Sequence, residues 1–404
     1  MEYKRLIELM LRDGISDILF KPGSCPLIRV NGQLVQTNLE PLTSQQTEEI
    51  VRSLLTAPQQ KEFAERHEMD VACTVDGVSR FRVNLYRQKG TIAVALRTIP
   101  LTLKTFEDLH LPTQTLKKLV GQGRGLILFA GVTGAGKTTT MNAIINYLNQ
   151  NFTFNIITIE DPIEYVHTDV KSSISQRELG VDTATFKAAL KNVLRQSPDV
   201  IAIGEMRDTE TMSAALSAAE SGHLVLSTIH TIDAVHAVGR IVDAFPPHEQ
   251  NAVRQQVAGV ISGVVAQRLV RSNDGTHRYP ATEVLLGTTF MRRLLAEGRT
   301  EEVLRLMAQD TYYGMHTFDQ DLEHLHAQNL ITTQEALNHA TNLEDLALKL
   351  RGVDRGVFNG QGGGQPAQGS GEKVNRDSSG GVVIDLPREN PPASRPQQIP
   401  KAKP

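Results

Sequence analysis

The sequence predicts an α/β protein: a mostly parallel sheet with helices on both faces, preceded by a smaller α+β domain. Two observations predict this. Between residues 115 and 270, apolar runs of strand type alternate with segments of helical periodicity, which is typical of parallel sheets. Residues 1–100 instead combine helical segments with paired strands, two of them separated by Asn31 and Gly32, a strong hairpin signal. With 404 residues, the chain is long enough for two or three domains.

The first domain, residues 1–100, has a predicted mixture of short strands and helices. We predict strands at 17–21, 27–30, 33–36, 79–87 and 91–99, and helices at 44–55 and 58–68. Proline at position 100 disfavours helical structure in the residue before it. Residues 101–114 are therefore interpreted as a linker.

The sheet domain, residues 115–285, is followed by two regions of different character. Its predicted strands lie at 126–130, 156–160, 200–204 and 223–228. Residues 286–352 have helical patterns throughout, whereas residues 353–404 are rich in Gly and Pro and are predicted to be a disordered tail. The apolar run at 382–386 is either a short docking motif, for a partner or for the body of the protein, or an incidental cluster.

Composition limits the classes of function. The net charge of −3 gives no global basic field that would indicate nucleic-acid binding. Cys25 and Cys73 lie far apart, which fits a reducing cytoplasm and gives no disulfide framework. No run of 18 apolar residues occurs, and the N-terminus lacks the hydrophobic region of a signal peptide. We therefore expect a cytoplasmic protein whose contact with a membrane, if it has one, is peripheral.

A phosphate-binding loop is the clearest motif. Residues 131–138 read GVTGAGKT, a complete match to GxxxxGK[ST], with a strand-type run before it and a helix-compatible stretch after it. The glycines let the backbone approach phosphates, Lys137 is expected to reach the β- and γ-phosphates, and the Thr138 hydroxyl is expected to bind Mg²⁺. The predicted ATP-binding residues are Gly131, Thr133, Gly134, Ala135, Gly136, Lys137, Thr138 and Thr139.

A second motif narrows the class of P-loop protein. Residues 199–205 read DVIAIGE, a buried strand that ends in the carboxylate of Glu205, the Walker B arrangement. Such a carboxylate can orient Mg²⁺ or polarise the attacking water. No Asn-Lys-x-Asp guanine motif occurs, which argues against a GTPase.

Three further acids stand at the end of another predicted strand, where residues 159–164 read IEDPIE. Ligands of open parallel sheets bind at the carboxyl ends of the strands, so this group is expected to face the phosphates. Glu164 is the candidate for activating water, and Glu160 and Asp161 would help to hold Mg²⁺ and the loop. From local sequence alone, an Asp-Pro turn with exposed acids explains these residues equally well.

Residues 222–231, GHLVLSTIHT, form the fourth element. His230 lies just beyond the end of a predicted core strand, a suitable place for a sensor of the γ-phosphate. A lone histidine is more often structural, and His223 at the start of this strand is interpreted in that way.

Together these motifs resemble the ATPases of the type II secretion and type IV pilus superfamily. The resemblance extends over about residues 1–350 and includes segments 16–19, 28–32, 160–164, 194–208, 222–231, 239–250 and 314–320. It implies a homo-hexameric, Mg²⁺-dependent, RecA-like motor with an N-terminal PAS-like domain. It also implies that the motor works in the cytoplasm, peripherally at the inner membrane, against a platform protein.

Within that superfamily, the chain most resembles the pilus-retraction ATPases of twitching motility. The assembly and secretion branches usually carry a further N-terminal domain and a four-cysteine zinc module, and this sequence has no cysteine after Cys73. Retraction ATPases usually carry an Ala-Ile-Arg-Asn-Leu motif, and the corresponding residues 289–298 read TFMRRLLAEG. Because of this difference, the sequence does not decide between a main retraction motor and an auxiliary motor that works beside a paralogous pilus ATPase.

The resemblance also assigns a role to arginines of the first domain. Arg82 alternates with apolar neighbours on one predicted strand, and Arg97 lies on the next. In the family, arginines of this domain close over the nucleotide, so both are expected to stabilise charge on the phosphate. A solvated basic strand face is the alternative.

The function indicated is an ATPase motor that drives pilus disassembly. A pilus-extension or secretion ATPase of the same superfamily, and a nucleotide-binding accessory without hydrolysis, are alternatives. A RecA-like nucleic-acid translocase is the alternative of another class. The absence of tryptophan, the aromatic content of 5% and the acidic balance argue against it, so no nucleic-acid partner is expected.

Overall fold

The computed structural model describes residue 7 and residues 15–30, 33–75, 79–99, 103–310, 312–357, 375–376 and 382–384. The chain divides into two compact units. The first comprises Met1–Thr98 and Pro366–Pro404, and the second comprises Ile99–Gln365. Among the helices of the described ranges, none is both long and apolar enough to cross a membrane.

The first unit is a mostly antiparallel sheet that packs against two helices. Its elements are β1 (Ile15–Phe20), β2 (Leu27–Val30), β3 (Gln33–Thr37), α1 (Ser44–Leu54), α2 (Ala57–Arg66), β4 (Glu68–Val75), β5 (Ser79–Gln88) and β6 (Thr91–Ile99). The strands follow the order β3-β2-β1-β6-β5-β4. Alternate strand residues and one face of α1 supply the core, which includes Ile18, Phe20, Ile50, Phe81, Val83 and Leu96. The α+β architecture predicted for the first domain is the architecture that this unit has.

Two local features of this unit bear on the sequence predictions. Val30 pairs with Gln33, the register that a two-residue turn produces, although residues 31 and 32 themselves lie outside the described part. The helix predicted at 58–68 ends at Arg66 because His67 adopts a left-handed conformation, with φ of 67°. The chain then enters β4, a strand that the sequence analysis missed.

The second unit is a parallel α/β sheet with a helical C-terminal part. Its first elements are α3 (Thr113–Val120), β7 (Gly125–Ala130), α4 (Lys137–Asn151), β8 (Asn155–Glu160), β9 (Ser173–Glu178), α5 (Phe186–Val193), β10 (Val200–Ile203), α6 (Thr209–Glu220) and β11 (Leu224–Ile229). They are followed by α7 (Ala234–Asp243), α8 (Gln250–Val260), β12 (Ile261–Arg271), β13 (Arg278–Leu286), α9 (Thr289–Glu297), α10 (Thr300–Gln309), α11 (Phe318–Ala327), α12 (Thr333–Asn338) and α13 (Leu343–Val357).

The sheet of this unit has the order β13-β12-β7-β11-β10-β8-β9. Every neighbouring pair is parallel except β12 and β13. All residues of β7, β10 and β11 are buried, so both faces of the sheet centre are covered, as a parallel sheet requires. The four predicted strands correspond to β7, β8, β10 and β11, whereas β9, β12 and β13 were not predicted.

The region predicted as a disordered tail is described only in part. Helix α13 continues past residue 353 to Val357. Two short strands follow, β14 (Asn375–Arg376) and β15 (Val382–Ile384), and β15 pairs in parallel with β3, Val383 opposite Gln36. For the apolar run at 382–386, this pairing favours docking to the body of the protein over an incidental cluster. The rest of the predicted disorder falls outside the described residues.

Candidate nucleotide-binding and catalytic site

The carboxyl ends of β8, β10 and β11 are tied together by hydrogen bonds just beyond the sheet. The backbone N–H of Gly204 donates to the carbonyl of Ile159 at 2.8 Å, which joins β10 to β8. The Thr228 hydroxyl donates to the Gly204 carbonyl at 2.6 Å, which joins β11 to β10. Because β7 pairs in parallel with β11, the phosphate-binding loop leaves the sheet at this same edge.

The loop at 131–138 connects β7 to α4, as predicted. Gly131 has φ of 150°, and a Cβ built there would lie 2.7 Å from the Gln267 carbonyl oxygen of β12. No larger residue fits between these two backbones without a shift. Of the remaining predicted residues, Thr133 and Gly134 are exposed, Ala135 is buried, and Thr138 and Thr139 are half-buried in the first turn of α4. The unpaired backbone N–H groups at the start of α4 therefore lie where they can bind an anion.

Lys137, the first residue of α4, is buried, and its ammonium donates to the carbonyls of Gly131 and Val132 at 2.9 and 3.0 Å. Burial lowers the pKa of Lys137, and the carboxylates of Glu205 and Glu164 partly oppose that shift. Both carboxylates therefore act on the lysine electrostatically, and each comes from a different segment of the chain.

Glu205 follows β10 after one glycine and lies between two basic side chains. Its carboxylate pairs with Arg207 at 2.8 Å and with Nε2 of His230 at 3.2 Å. The Glu205 side chain is 20% exposed, so a ligand or water can reach it. His230 and Glu205 are thus brought together as candidates for contact with one ligand, while Arg207 forms a salt bridge with Glu205. Nδ1 of His223 shares hydrogen bonds with the Ala218 carbonyl and the Ser221 hydroxyl at the opposite end of β11, which indicates a structural role.

Glu160, the last residue of β8, is 3% exposed. Its carboxylate accepts hydrogen bonds from the Thr158 hydroxyl at 2.6 Å and from the Gln176 amide at 3.1 Å. Burial raises the pKa of Glu160, and these donors partly offset the rise. Of the two roles predicted for Glu160, its contacts support holding the loop more than binding Mg²⁺. Asp161, the next residue, is exposed.

Glu164 lies half-buried in the loop that follows β8. The next residue, Tyr165, shares a hydrogen bond of 3.0 Å between its hydroxyl and that of Thr139 in α4. Burial raises the pKa of Tyr165, so the phenol stays protonated and available for this bond. The loop that carries Glu164 is therefore fastened to the helix that begins with Lys137.

Arg82 and Arg97 belong to the first unit and pair with acids there. Arg97 donates from Nε to Asp17 at 2.8 Å, and Nε of Arg82 lies 3.9 Å from Asp70. The Arg97 side chain is 67% exposed, so its pair with Asp17 is open to exchange.

The donor set fits a nucleotide with Mg²⁺. This ion usually binds one or two carboxylates together with substrate phosphates and retains several waters, and the protein need not enclose it. Within the described ranges, no three His, Cys, Asp or Glu side chains form a cluster of the kind that holds a metal by itself. Thr138 and Glu205 would supply the protein's ligands.

Beside the loop lies a cleft of about 560 Å³ that the sequence analysis missed. It adjoins Gly136, Thr139 and Thr140, and its walls include Leu269 of β12 and Tyr279 of β13, the latter in edge contact with His110. A cleft of mixed polar and apolar lining, with an aromatic ring in its wall, suits the nucleoside part of a nucleotide bound at the adjacent phosphate loop. Apart from the residues of the phosphate-loop helix, its lining residues stand in no motif, so nothing in the sequence singles them out.

Comparisons with known proteins decide the family. The profile of the family described as type II/IV secretion system protein matches residues 28–336. The chain belongs to this family. It is 42% identical over 351 residues to the type IV pilus ATPase PilU of Pseudomonas aeruginosa, a match that covers 87% of this chain and 92% of that protein.

Two further family members are similar over most of their length. The type IV pilus retraction ATPase PilT of Pseudomonas aeruginosa is 38% identical over 340 residues, which cover 84% of this chain and 98% of PilT. A crystal structure of the pilus retraction motor PilT with bound ADP superposes with a TM-score of 0.79 at 39% identity and covers 86% of this chain and 98% of that one. This similarity supports the predicted fold class.

Proposed function

We propose that this protein is a Mg²⁺-dependent ATPase motor that powers retraction of type IV pili. The observation that carries the proposal is the complete phosphate loop after β7, with Lys137 buried in it, and the Glu205–His230 pair at the same edge of the sheet. Because the chain is similar to PilT and PilU, we assign this ATP hydrolysis to pilus disassembly and twitching motility.

The proposed reaction is attack of water on the γ-phosphate of ATP. The Lys137 ammonium keeps two loop carbonyls as partners and has a third N–H for a phosphate oxygen. Glu164 and Glu205 orient the attacking water, Glu164 accepts its proton, and His230 senses the terminal phosphate. Thr138 and Glu205 would hold Mg²⁺, which would supply positive charge that offsets the charge of the β- and γ-phosphates.

The larger assembly is proposed on the basis of the resemblance. Six copies would form a ring in the cytoplasm, peripheral to the inner membrane, where a pilus platform protein is the partner. Arg82 and Arg97 would leave their acidic partners and stabilise the phosphates as the ring closes. The described helices do not span a membrane, which is compatible with a peripheral position.

An auxiliary retraction motor is the second candidate. It is favoured by the 42% identity to PilU and by the residues of α9, TFMRRLLAE, which replace the expected retraction motif. Such a motor would hydrolyse ATP with the same residues but would depend on a paralogous ATPase for retraction.

ATP turnover by the purified protein tests the chemistry. We expect Lys137→Ala and Glu205→Ala each to reduce kcat by at least about a hundredfold, because each removes charge that acts on the reacting phosphate. Lys191→Ala, an exposed lysine of α5, is the matched control and should retain wild-type turnover. Wild-type turnover in either of the first two variants would refute the assignment.

A count of surface pili in the native host, with Lys137→Ala at the chromosomal locus, tests the direction of force. Excess pili that do not retract are expected for the main retraction motor. Bald cells would contradict retraction and indicate extension. Unchanged piliation would favour the auxiliary motor.

A further inference from the structure

One side chain of β9 holds the loop that carries Glu164 from three directions. The amide nitrogen of Gln176 donates to the Glu160 carboxylate at 3.1 Å and to the Tyr165 carbonyl at 2.8 Å. The amide oxygen of Gln176 accepts from the backbone N–H of His167 at 2.8 Å. We propose that Gln176 is a positioning residue that fixes Glu164 against the phosphate loop, an inference that rests on the proposed ATPase function.

Glutamine is suited to this place because its side chain both donates and accepts. Two donor hydrogens satisfy a carboxylate and a carbonyl, while the oxygen satisfies an N–H, and neither glutamate nor lysine offers that combination. The strand register brings Gln176 level with Thr158, two residues before Glu160, so the amide reaches past the end of β8 into the loop. The contacts on Tyr165 and His167 enclose the residues that directly follow Glu164.

The opposite side of the same loop is fastened to α4. The Tyr165 hydroxyl bonds with that of Thr139, and Nε2 of His167 bonds with the Asn142 side-chain oxygen at 2.7 Å. Burial lowers the pKa of His167 to about 4, so the ring is neutral and Nε2 carries the proton that it donates. The loop is thus held between β9 and the helix that begins with Lys137.

This double attachment matters because proton transfer and water orientation tolerate little displacement. A shift of about 1 Å at a catalytic group is enough to reduce a rate on the order of a hundredfold. Without the Gln176 amide, the buried Glu160 carboxylate loses a donor and the Tyr165 carbonyl loses its partner, so the loop must rearrange to satisfy both. Glu164 lies between these two groups and would move with them.

The test compares kcat with ATP affinity in the full-length protein. Gln176→Leu is expected to lower kcat on the order of tenfold to a hundredfold, with the Kd for ATP, measured by calorimetry, changed less than about threefold. Gln150→Leu makes the same chemical change at an exposed position at the end of α4 and should match the wild type. An unchanged kcat in Gln176→Leu, or a loss of kcat matched by an equal loss of ATP affinity, would overturn the proposal.

A second variant separates positioning from general support of the structure and retains the shape of the side chain. Gln176→Glu keeps the acceptor for His167 but replaces the donor by a carboxylate facing Glu160. Other titratable groups nearby are Glu164, Tyr165 and His167 of the loop, Glu178 of the same strand, and Lys137. As the pH is lowered, one of the two facing carboxyl groups takes up a proton more readily than an isolated glutamate would, and it becomes a donor.

The ratio of kcat between Gln176→Glu and the wild type is therefore expected to rise at least about tenfold as the pH is lowered. A constant ratio would overturn the donor role. Failure of the proposed function is distinguishable, since the wild-type protein would then not hydrolyse ATP at all. A wild-type enzyme that is active, with Gln176 variants equal to it, would refute only the positioning role.

Discussion

Gly131 illustrates how strictly one position of the phosphate loop is constrained. A Cβ at this residue would lie 2.7 Å from the Gln267 carbonyl oxygen and 2.9 Å from the Ala135 Cβ, and its φ of 150° is unfavourable for other residues. The backbone of β12 therefore lies directly against the loop. The first glycine of the motif is required by the neighbouring strand as well as by the ligand.

Gly131→Ala is accordingly expected to weaken ATP binding and to destabilise the second unit by roughly 1–3 kcal/mol, since loop and strand must move apart. The Kd for ATP and the melting temperature measure the two effects. Gly239→Ala is the control, because a Cβ in the middle of α7 meets nothing within 4 Å. It should bind ATP normally and be stabilised by roughly 0.5–1 kcal/mol. Equal ATP affinity in both variants would contradict this view of the loop.

Glu283 of β13 joins three elements through one buried carboxylate. It is 2% exposed and accepts hydrogen bonds from the backbone N–H groups of Ala234, at the start of α7, and Phe318, at the start of α11. Burial raises the pKa of Glu283 to about 7, and Asp233 acts in the same direction while Arg268 opposes it. This residue links the helical region to the edge of the sheet.

The raised pKa of Glu283 predicts a pH-dependent stability. Between the unfolded pKa of 4.5 and the folded pKa of about 7, the unfolded chain loses the proton and the folded protein retains it. The contribution to stability is therefore lost as pH rises through that window. Glu283→Gln, which stays neutral, is expected to gain about 2 kcal/mol over the wild type between about pH 5 and about pH 8.

Urea unfolding at both pH values measures this gain. Glu301→Gln, on an exposed residue of α10, is the control and should show no such change. Parallel stability curves for Glu283→Gln and the wild type would contradict the prediction.

The sequence predicted the elements that carry motifs and missed several that support them. β7, β8, β10 and β11 are short apolar runs bounded by turn residues, a pattern that is visible locally. β9 reads SISQRE and is half exposed at the edge of the sheet, so it has no apolar run. β12 continues directly from α8, and no turn residue separates helix from strand. Strands whose burial depends on distant partners cannot be recognised from their own residues.

The candidate site shows the same limit. Lys137, Glu164, Glu205 and His230 were predicted because they stand in motifs with fixed spacing. Gln176 and the cleft beside the loop were not, because β9 and β13 bring their residues to the site from sequence positions without a motif. Motifs identify the residues that contact a ligand. The residues that hold those groups in place can be identified only from the three-dimensional structure.

For the whole assembly, the proposal predicts a ring of six chains. Light scattering on the purified protein with Mg²⁺ and ATP is expected to give about six times the mass of one chain, 44.4 kDa. Arg97→Ala is expected to leave this mass unchanged while it lowers kcat on the order of tenfold or more, because the role proposed for Arg97 is at the phosphate and not in assembly. A monomeric or dimeric active enzyme would contradict the hexamer.

The order of strands has a consequence for how the chain is made. β7 carries the phosphate loop, yet its two neighbours are β11 and β12, which lie about a hundred residues or more downstream. At typical rates of translation, the apolar segment GLILFA waits roughly 5–20 s for its first partner strand to leave the ribosome. During that interval the unpaired apolar segment is exposed to chaperones and to aggregation, long before the nucleotide site that it supports is complete.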